Sequence, residues 1–402
     1  MSTRVVTILG MGPGRDVPHY LPVRYRDEAS ALLSDSESPL SLPLHLELAG
    51  PGACLRIVGT KEVRERWISS GLLDSLVPGL PQDCFVEVPS GEDPGDAAAF
   101  VALIQPLLSR EALPEERADP ERVVVDLTHG FRAQSLLATA AIEAVIDADL
   151  RRGRAPNLQV VYTAFEARRD GIAPIWDLTG LLSQHAWTSA IHAFRSYGRA
   201  DALANLCEAM ALRIIAPDHA DLERRSDRDR VRKLGRSAKA LADSLATLRL
   251  ETLVVVAAPT FRRHLDEAMP LLRAQAPSVE APLAELADWA DGISTESMLS
   301  EPGLAAVAGV ARLAYQMERF AEAASVLREW AVLAVMTRRG LARGAAEAWL
   351  HDEPSEPIKQ YYREIGDLRN DLIHCGLRPH PRTAKEIRKQ LNERLKARTL
   401  LD

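Results

Sequence analysis

Aromatic residues are scarce in this chain: Phe, Trp and Tyr together make up 5% of 402 residues, while Leu, Ala and Arg are plentiful. That balance leans towards helix. Cysteine is nearly absent as a structural device. Cys54, Cys84, Cys207 and Cys375 are scattered, with no CxxC and no ligand-like spacing to histidine, so neither a metal site nor a disulfide framework is expected. Long apolar runs are missing too. No stretch approaches the ~20 residues a membrane span needs, so no membrane partner is expected. The run Val5 to Leu9 is too short for a signal h-region and lacks a charged n-region with a cleavage site, which points to a cytoplasmic protein. An excess of positive charge is also lacking. The net charge of −7 excludes a protein that coats nucleic acid by charge alone, although a local basic site depends on how charge is distributed.

What is present fits an ordinary soluble protein, with 47% hydrophobic and 26% charged residues and a length sufficient for two domains. Residues 1–180 read as alternating strands and helices. Apolar runs at Val5–Leu9, Cys54–Val58, Asp83–Val88, Arg122–Leu127 and Leu158–Tyr162 predict strands, and their continuous Val/Ile/Leu character predicts parallel pairing with both faces covered. Helical spacing runs from Asp96 to Ser109 and from Gln134 to Leu150. A doubly wound α/β sheet is the expected architecture there. Residues 181–402 read as all-α. Leu253–Ala258 is open between strand and buried helix, and Ala305 to Arg339 reads as one long helix stopped by Gly340.

Two segments fall where an open parallel sheet binds ligands, beyond the carboxyl ends of its strands. Gly10-Met11-Gly12-Pro13-Gly14 is either a tight strand exit or a loop whose backbone approaches a phosphate. Asp126-Leu127-Thr128-His129-Gly130-Phe131-Arg132 follows a buried strand and opens a helix. It reads equally well as an anion or nucleotide site at a helix N-terminus or as a capped strand–helix junction.

The Asp126-Leu127-Thr128-His129-Gly130 pentapeptide resembles the DxTHG signature of a family of CRISPR-associated proteins. Ile8-Leu9-Gly10-Met11-Gly12 and Val58-Gly59-Thr60-Lys61-Glu62 followed by Trp67 resemble the same family. The resemblance implies an N-terminal CARF domain, a Rossmann-like sensor of cyclic oligoadenylate. In that family two such domains pair and hold one cyclic ligand between them. Gly10, Met11, Gly12, Thr128, His129, Gly130, Phe131 and Arg132 would then face this activator. Cyclic tetra-adenylate is the favoured ring and hexa-adenylate the alternative; no other cofactor is implied.

Near the other end, Ile365-Gly366-Asp367-Leu368-Arg369-Asn370-Asp371-Leu372-Ile373-His374 predicts a helix opened around Pro357. Asn370 and His374 share a face at i, i+4 with Arg369 beside them, while Leu368 and Leu372 form a second pair facing the core. Cys375-Gly376 and Pro379 stop the helix, leaving His374 at its C-terminus, where the dipole favours positive charge. Histidine transfers protons in the neutral range and arginine grips phosphate, which suits metal-free RNA hydrolysis. The segment resembles the R-x4–6-H motif of HEPN ribonucleases. That resemblance implies catalytic Arg369, Asn370 and His374, doubled in the active site of a homodimer that can assemble further.

Together the resemblances imply an activator-controlled endoribonuclease that cuts single-stranded RNA in type III CRISPR antiviral defence. The competing reading is a ligand-sensing regulator or interaction protein without nuclease activity. Eight Arg/Lys between Gly376 and Arg398, against Glu386 and Glu393, give a local charge of +6 that either tracks RNA or marks a solvated helix. Asp221 to Ala240, net +4, reads as a charged helix face, and His185, His192, His219 and His351 read as structural or surface residues.

Overall fold

The computed structural model describes residues 2–12, 20–81, 83–90, 93–114, 116, 118–130, 132–214, 222–276, 279–353, 356–377 and 380–397. The chain divides into two compact units. The first comprises Met1–Thr188, Asn205–Arg232 and Leu271–Val279; the second comprises Ser189–Ala204, Lys233–Pro270 and Glu280–Asp402.

The first unit is built on β1 (Thr3–Leu9), β2 (Arg24–Asp27), α1 (Leu42–Ala49), β3 (Cys54–Gly59), α2 (Lys61–Arg64), α3 (Leu72–Leu76), β4 (Phe85–Glu87), α4 (Pro94–Leu108), β5 (Arg122–His129), α5 (Arg132–Arg151), β6 (Leu158–Thr163) and β7 (Ile172–Asp177). The strands form one sheet in the order β2-β7-β6-β5-β1-β3-β4. Five of them, β1, β3, β4, β5 and β6, are mutually parallel. The expectation of a wholly parallel sheet needs correction at one edge, because β7 runs antiparallel to β6 and β2 lies parallel to β7.

Alternation along the central strands sorts two apolar layers. Val6 and Ile8 of β1, with Val123, Val125 and Leu127 of β5, pack under α4 and α5. Val5 and Leu9 face the other way, onto Leu42, Val63, Trp67 and Leu73 from α1 to α3. Both faces of the sheet are therefore covered, which is why its strands read as unbroken apolar runs.

After β7 the described residues are helical: α6 (Thr179–Leu182), α7 (Gln184–Tyr197), α8 (Asp201–Arg213), α9 (Leu222–Ala246), α10 (Ala258–Gln275), α11 (Glu280–Asp291), α12 (Glu301–Gln316), α13 (Phe320–Arg339), α14 (Arg343–His351), α15 (Pro357–Ile373) and α16 (Ala384–Ala397). Leu253–Ala258 is helical, a widened turn leading into α10. The single helix expected from Ala305 to Arg339 is two, α12 and α13. Glu318 takes a left-handed conformation (φ 58°) and breaks the run. Gly340, at φ 66°, caps α13. No helix among the described residues is long and apolar enough to cross a membrane.

Candidate functional site

From β1 the chain crosses to β2 at the far edge of the sheet, returns to β3 and β4 on the other side of β1, and then crosses back to β5 and β6. Ligands of open parallel sheets bind in the crevice beyond the carboxyl ends of the strands. Gly10 to Gly12 leave β1 there and Thr128 to Gly130 leave β5, with Leu9 in register with His129. A bulge between these registers sets Leu127 and Thr128 of β5 against Ile8 alone. The exits are in contact. A Cβ on Gly10 would stand 2.5 Å from the His129 carbonyl oxygen, and one on Gly130 would stand 2.9 Å from Ile8 Cγ2. Glycine is required at both by close approach. The Trp67 indole N–H donates to the Gly10 carbonyl at 3.0 Å, and Met11 packs in the same cluster as Trp67.

Beneath the crevice lies a polar network. Val123, Val125 and Leu127 point towards α4 and α5, so Asp126 points the other way, where α1 begins. Its carboxylate is fully buried. It accepts from Ser41 Oγ at 2.9 Å, Thr7 Oγ1 at 3.4 Å, the Thr128 backbone N–H at 2.9 Å and the Thr128 hydroxyl. His45 Nε2 approaches to 3.4 Å. Burial alone would raise the pKa of Asp126, but the His45 imidazole, His129 and the Thr128 hydroxyl outweigh it and hold the carboxyl well below its ordinary range. The Thr128 hydroxyl also accepts the Thr163 N–H at 2.8 Å, tying β5 to the end of β6.

His129 is only 4% exposed. Tyr20 covers its ring, with centroids 4.5 Å apart. Burial pushes its pKa down to about 4 against the pull of Asp126, so the ring is neutral at pH 7. In the unfolded chain it titrates near its ordinary value of about 6.5. Below that pH the unfolded state binds the additional proton, so stability falls as pH drops from about 6.5 to about 4, by on the order of 3 kcal/mol. His129→Phe keeps a flat ring under Tyr20 without the titration. Urea unfolding of both proteins at pH 7 and pH 4.5 checks this, and parallel losses in the two would refute it.

The structure thus brings Gly10, Met11, Gly12, Thr128, His129 and Gly130 to one crevice. Phe131 lies outside the described residues, as does the side chain of Arg132, whose backbone opens α5. That 20-residue helix begins beside Gly130. Tyr20, Ser41 and His45 escaped sequence reasoning, because no local pattern links them to Asp126 or His129.

In the second unit, α15 starts at Pro357 in its first turn and buries Tyr361, Ile365 and Leu368. Tyr361 meets Trp330 of α13 edge to face at 5.9 Å. The opposite side carries Arg369, partly exposed, and Asn370, exposed, with Arg369 Nη1 donating to Asn370 Oδ1 at 3.4 Å. His374 caps the helix, its backbone N–H donating to the Asn370 carbonyl at 3.0 Å and its imidazole exposed. Cys375 and Gly376, both at positive φ, then turn the chain away. Asp371 holds this turn from both sides. Its carbonyl accepts the Gly376 N–H at 3.2 Å, and its buried carboxylate accepts the Arg382 N–H at 3.0 Å. Arg369, Asn370 and His374 therefore share one fixed, solvent-facing helix end. Ile373 and Leu377 flank it, 46% and 89% exposed.

Much of the downstream basic charge is already paired: Arg388 with Glu318 at 2.9 Å, Arg394 with Glu364 at 2.7 Å, and Lys389 with Glu393 at 3.9 Å. Arg378, Pro379 and Arg398 lie outside the described residues, as do Pro13, Gly14, His219 and Asp221. On α9, Arg232 grips Glu208 at 2.7 Å and Lys239 meets Asp201 at 3.2 Å, as on a charged helix face. His351 rests edge-on against Tyr362. Compared with known proteins, the chain matches no family model and no curated sequence.

Proposed function

We propose that the protein is a cyclic-oligoadenylate-activated endoribonuclease of the CARF–HEPN kind, cutting single-stranded RNA as a homodimer in type III CRISPR defence. The observation that carries this reading is the exposed Arg369–Asn370–His374 set on one helix end, in a chain whose DxTHG segment ends a central strand of a mostly parallel sheet, beside the exit of β1. The exposed Ile373 and Leu377 beside His374 support pairing, since a second copy of the same helix end would cover them. One histidine per chain becomes two per site.

Cleavage by transesterification then needs no metal. One imidazole removes the proton from a ribose 2′-hydroxyl, whose oxygen attacks the adjacent phosphorus in line with the leaving 5′-oxygen. The two Arg369 guanidinium groups stabilise the crowded, doubly charged phosphate as it forms. The partner's imidazolium protonates the leaving oxygen. The products are a 2′,3′-cyclic phosphate and a 5′-hydroxyl. Asn370, within reach of the Arg369 guanidinium, orients it or binds a phosphate oxygen.

A labelled single-stranded RNA incubated with cyclic adenylates of different ring size tests the reading directly. Cleavage should be low without activator, rise sharply with one ring size, favouring four adenylates, and persist in EDTA. Activator binding without cleavage at any concentration would instead establish a sensor that acts through a partner.

A further inference from the structure

The first unit holds a second cavity, of about 520 Å³, away from the crevice. Strand β7 runs back towards the start of β6, and Asp177 at its end, α6, α8, α9 and the last turns of α10 line this space. Arg213, the last residue of α8, stands in its wall with only 12% of its side chain exposed. Its nearest acid is Asp177, whose Oδ2 is 3.9 Å from Nε, beyond hydrogen-bond range. That carboxylate is already occupied: Oδ2 accepts Gln159 Nε2 at 3.1 Å and Oδ1 accepts the Thr179 N–H at 2.8 Å. Arg213 Nε has no hydrogen-bond acceptor among the described residues. A largely buried guanidinium with one N–H left without an acceptor there is costly for the fold alone.

The rim is of another character. Trp176 and Leu181 leave 45% and 47% of their surface in solvent, giving a flat apolar shelf beside the cation. Arg224, on α9, and the exposed Glu28 add a second cation and a carboxylate to the lining. A planar fork of N–H donors matches a phosphate, an indole face matches a nucleobase, and a carboxylate at the rim matches an exocyclic amine. The volume lies within the usual range of small-molecule sites.

We infer that this cavity binds a nucleoside monophosphate, with its phosphate on Arg213 and its base on Trp176. The site is separate from the activator crevice and from the ribonuclease set, and the inference stands whether or not RNA is cut.

Isothermal titration of the full chain with 5′-AMP, adenosine and inorganic phosphate tests it. AMP should bind saturably, and adenosine and phosphate each at least tenfold more weakly, because each retains only half of the contacts. Arg213→Gln should weaken AMP by about a hundredfold, and Trp176→Ala by about tenfold while leaving phosphate unaffected. Trp176 is a rim residue, so its variant tests the site even if Arg213→Gln fails to fold. No saturable AMP binding at millimolar concentration overturns the inference. AMP affinity unchanged by Trp176→Ala overturns it equally, because the nucleotide would then sit elsewhere, the sheet crevice included.

Discussion

His374→Ala should lower single-turnover RNA cleavage by the activator-saturated protein by roughly 10²–10⁴-fold, the range spanned by a lost general acid or base. Its fold should be untouched. The imidazole is exposed and makes no side-chain hydrogen bond among the described residues, so unfolding free energy should move by less than about 0.5 kcal/mol. Activator binding should also survive, because the crevice belongs to the other unit. Arg369→Ala should cost a comparable 10²–10³-fold through the phosphate it no longer stabilises. Mixing makes the test sharper. If each site draws one base and one acid from two chains, equal amounts of wild-type and His374→Ala chain yield about a quarter intact dimers, and activity should fall to about that fraction. Activity near three quarters of wild type would show that a single copy suffices, and half would show chains that act independently. Wild-type rates from the pure variant would end the assignment of the site.

Legibility in the sequence followed the range over which each feature is encoded. The central strands were readable because both faces of β1, β3, β5 and β6 are covered, which demands unbroken Val, Ile and Leu. The edge pair was not. Arg24–Asp27, the edge strand, is four residues with three charges, a composition that edges tolerate, and Ile172–Asp177, the strand next to it, carries Pro174, a residue that argues against reading a strand there. The break between α12 and α13 contains neither glycine nor proline, so nothing marked Glu318 as left-handed. Arg369, Asn370 and His374 were visible because one helical turn contains their whole relationship. The network beneath the crevice was half visible. Asp126 and Thr128 are two residues apart, but Ser41 and His45 reach Asp126 from more than eighty residues away, through the way α1 docks on the sheet.

That network supports the second large effect. Asp126→Ala should destabilise the first unit by about 3–5 kcal/mol, the usual cost of removing one member of a buried, hydrogen-bonded charged set. The loss leaves the Ser41 and Thr7 hydroxyls, the Thr128 N–H and the His45 ring without their common acceptor. Against a typical total of about 5–15 kcal/mol, such a loss decides whether the sheet end stays ordered. Asp126→Asn keeps one acceptor oxygen but turns an amide N–H₂ towards donors, so it should fall between alanine and wild type. Because the folded carboxyl is held below its ordinary pKa, its contribution is complete above about pH 4 and disappears only as pH falls through the lower folded value. The deficit of the variant should therefore be flat from pH 8 to pH 5. The same carboxylate orients Thr128, which ties β5 to β6 at the mouth of the crevice, so activation by cyclic oligoadenylate should be lost along with the stability. Urea-unfolding free energies at pH 7 within about 1 kcal/mol of wild type, with activation intact, would mean that Asp126 caps a strand–helix junction and nothing more.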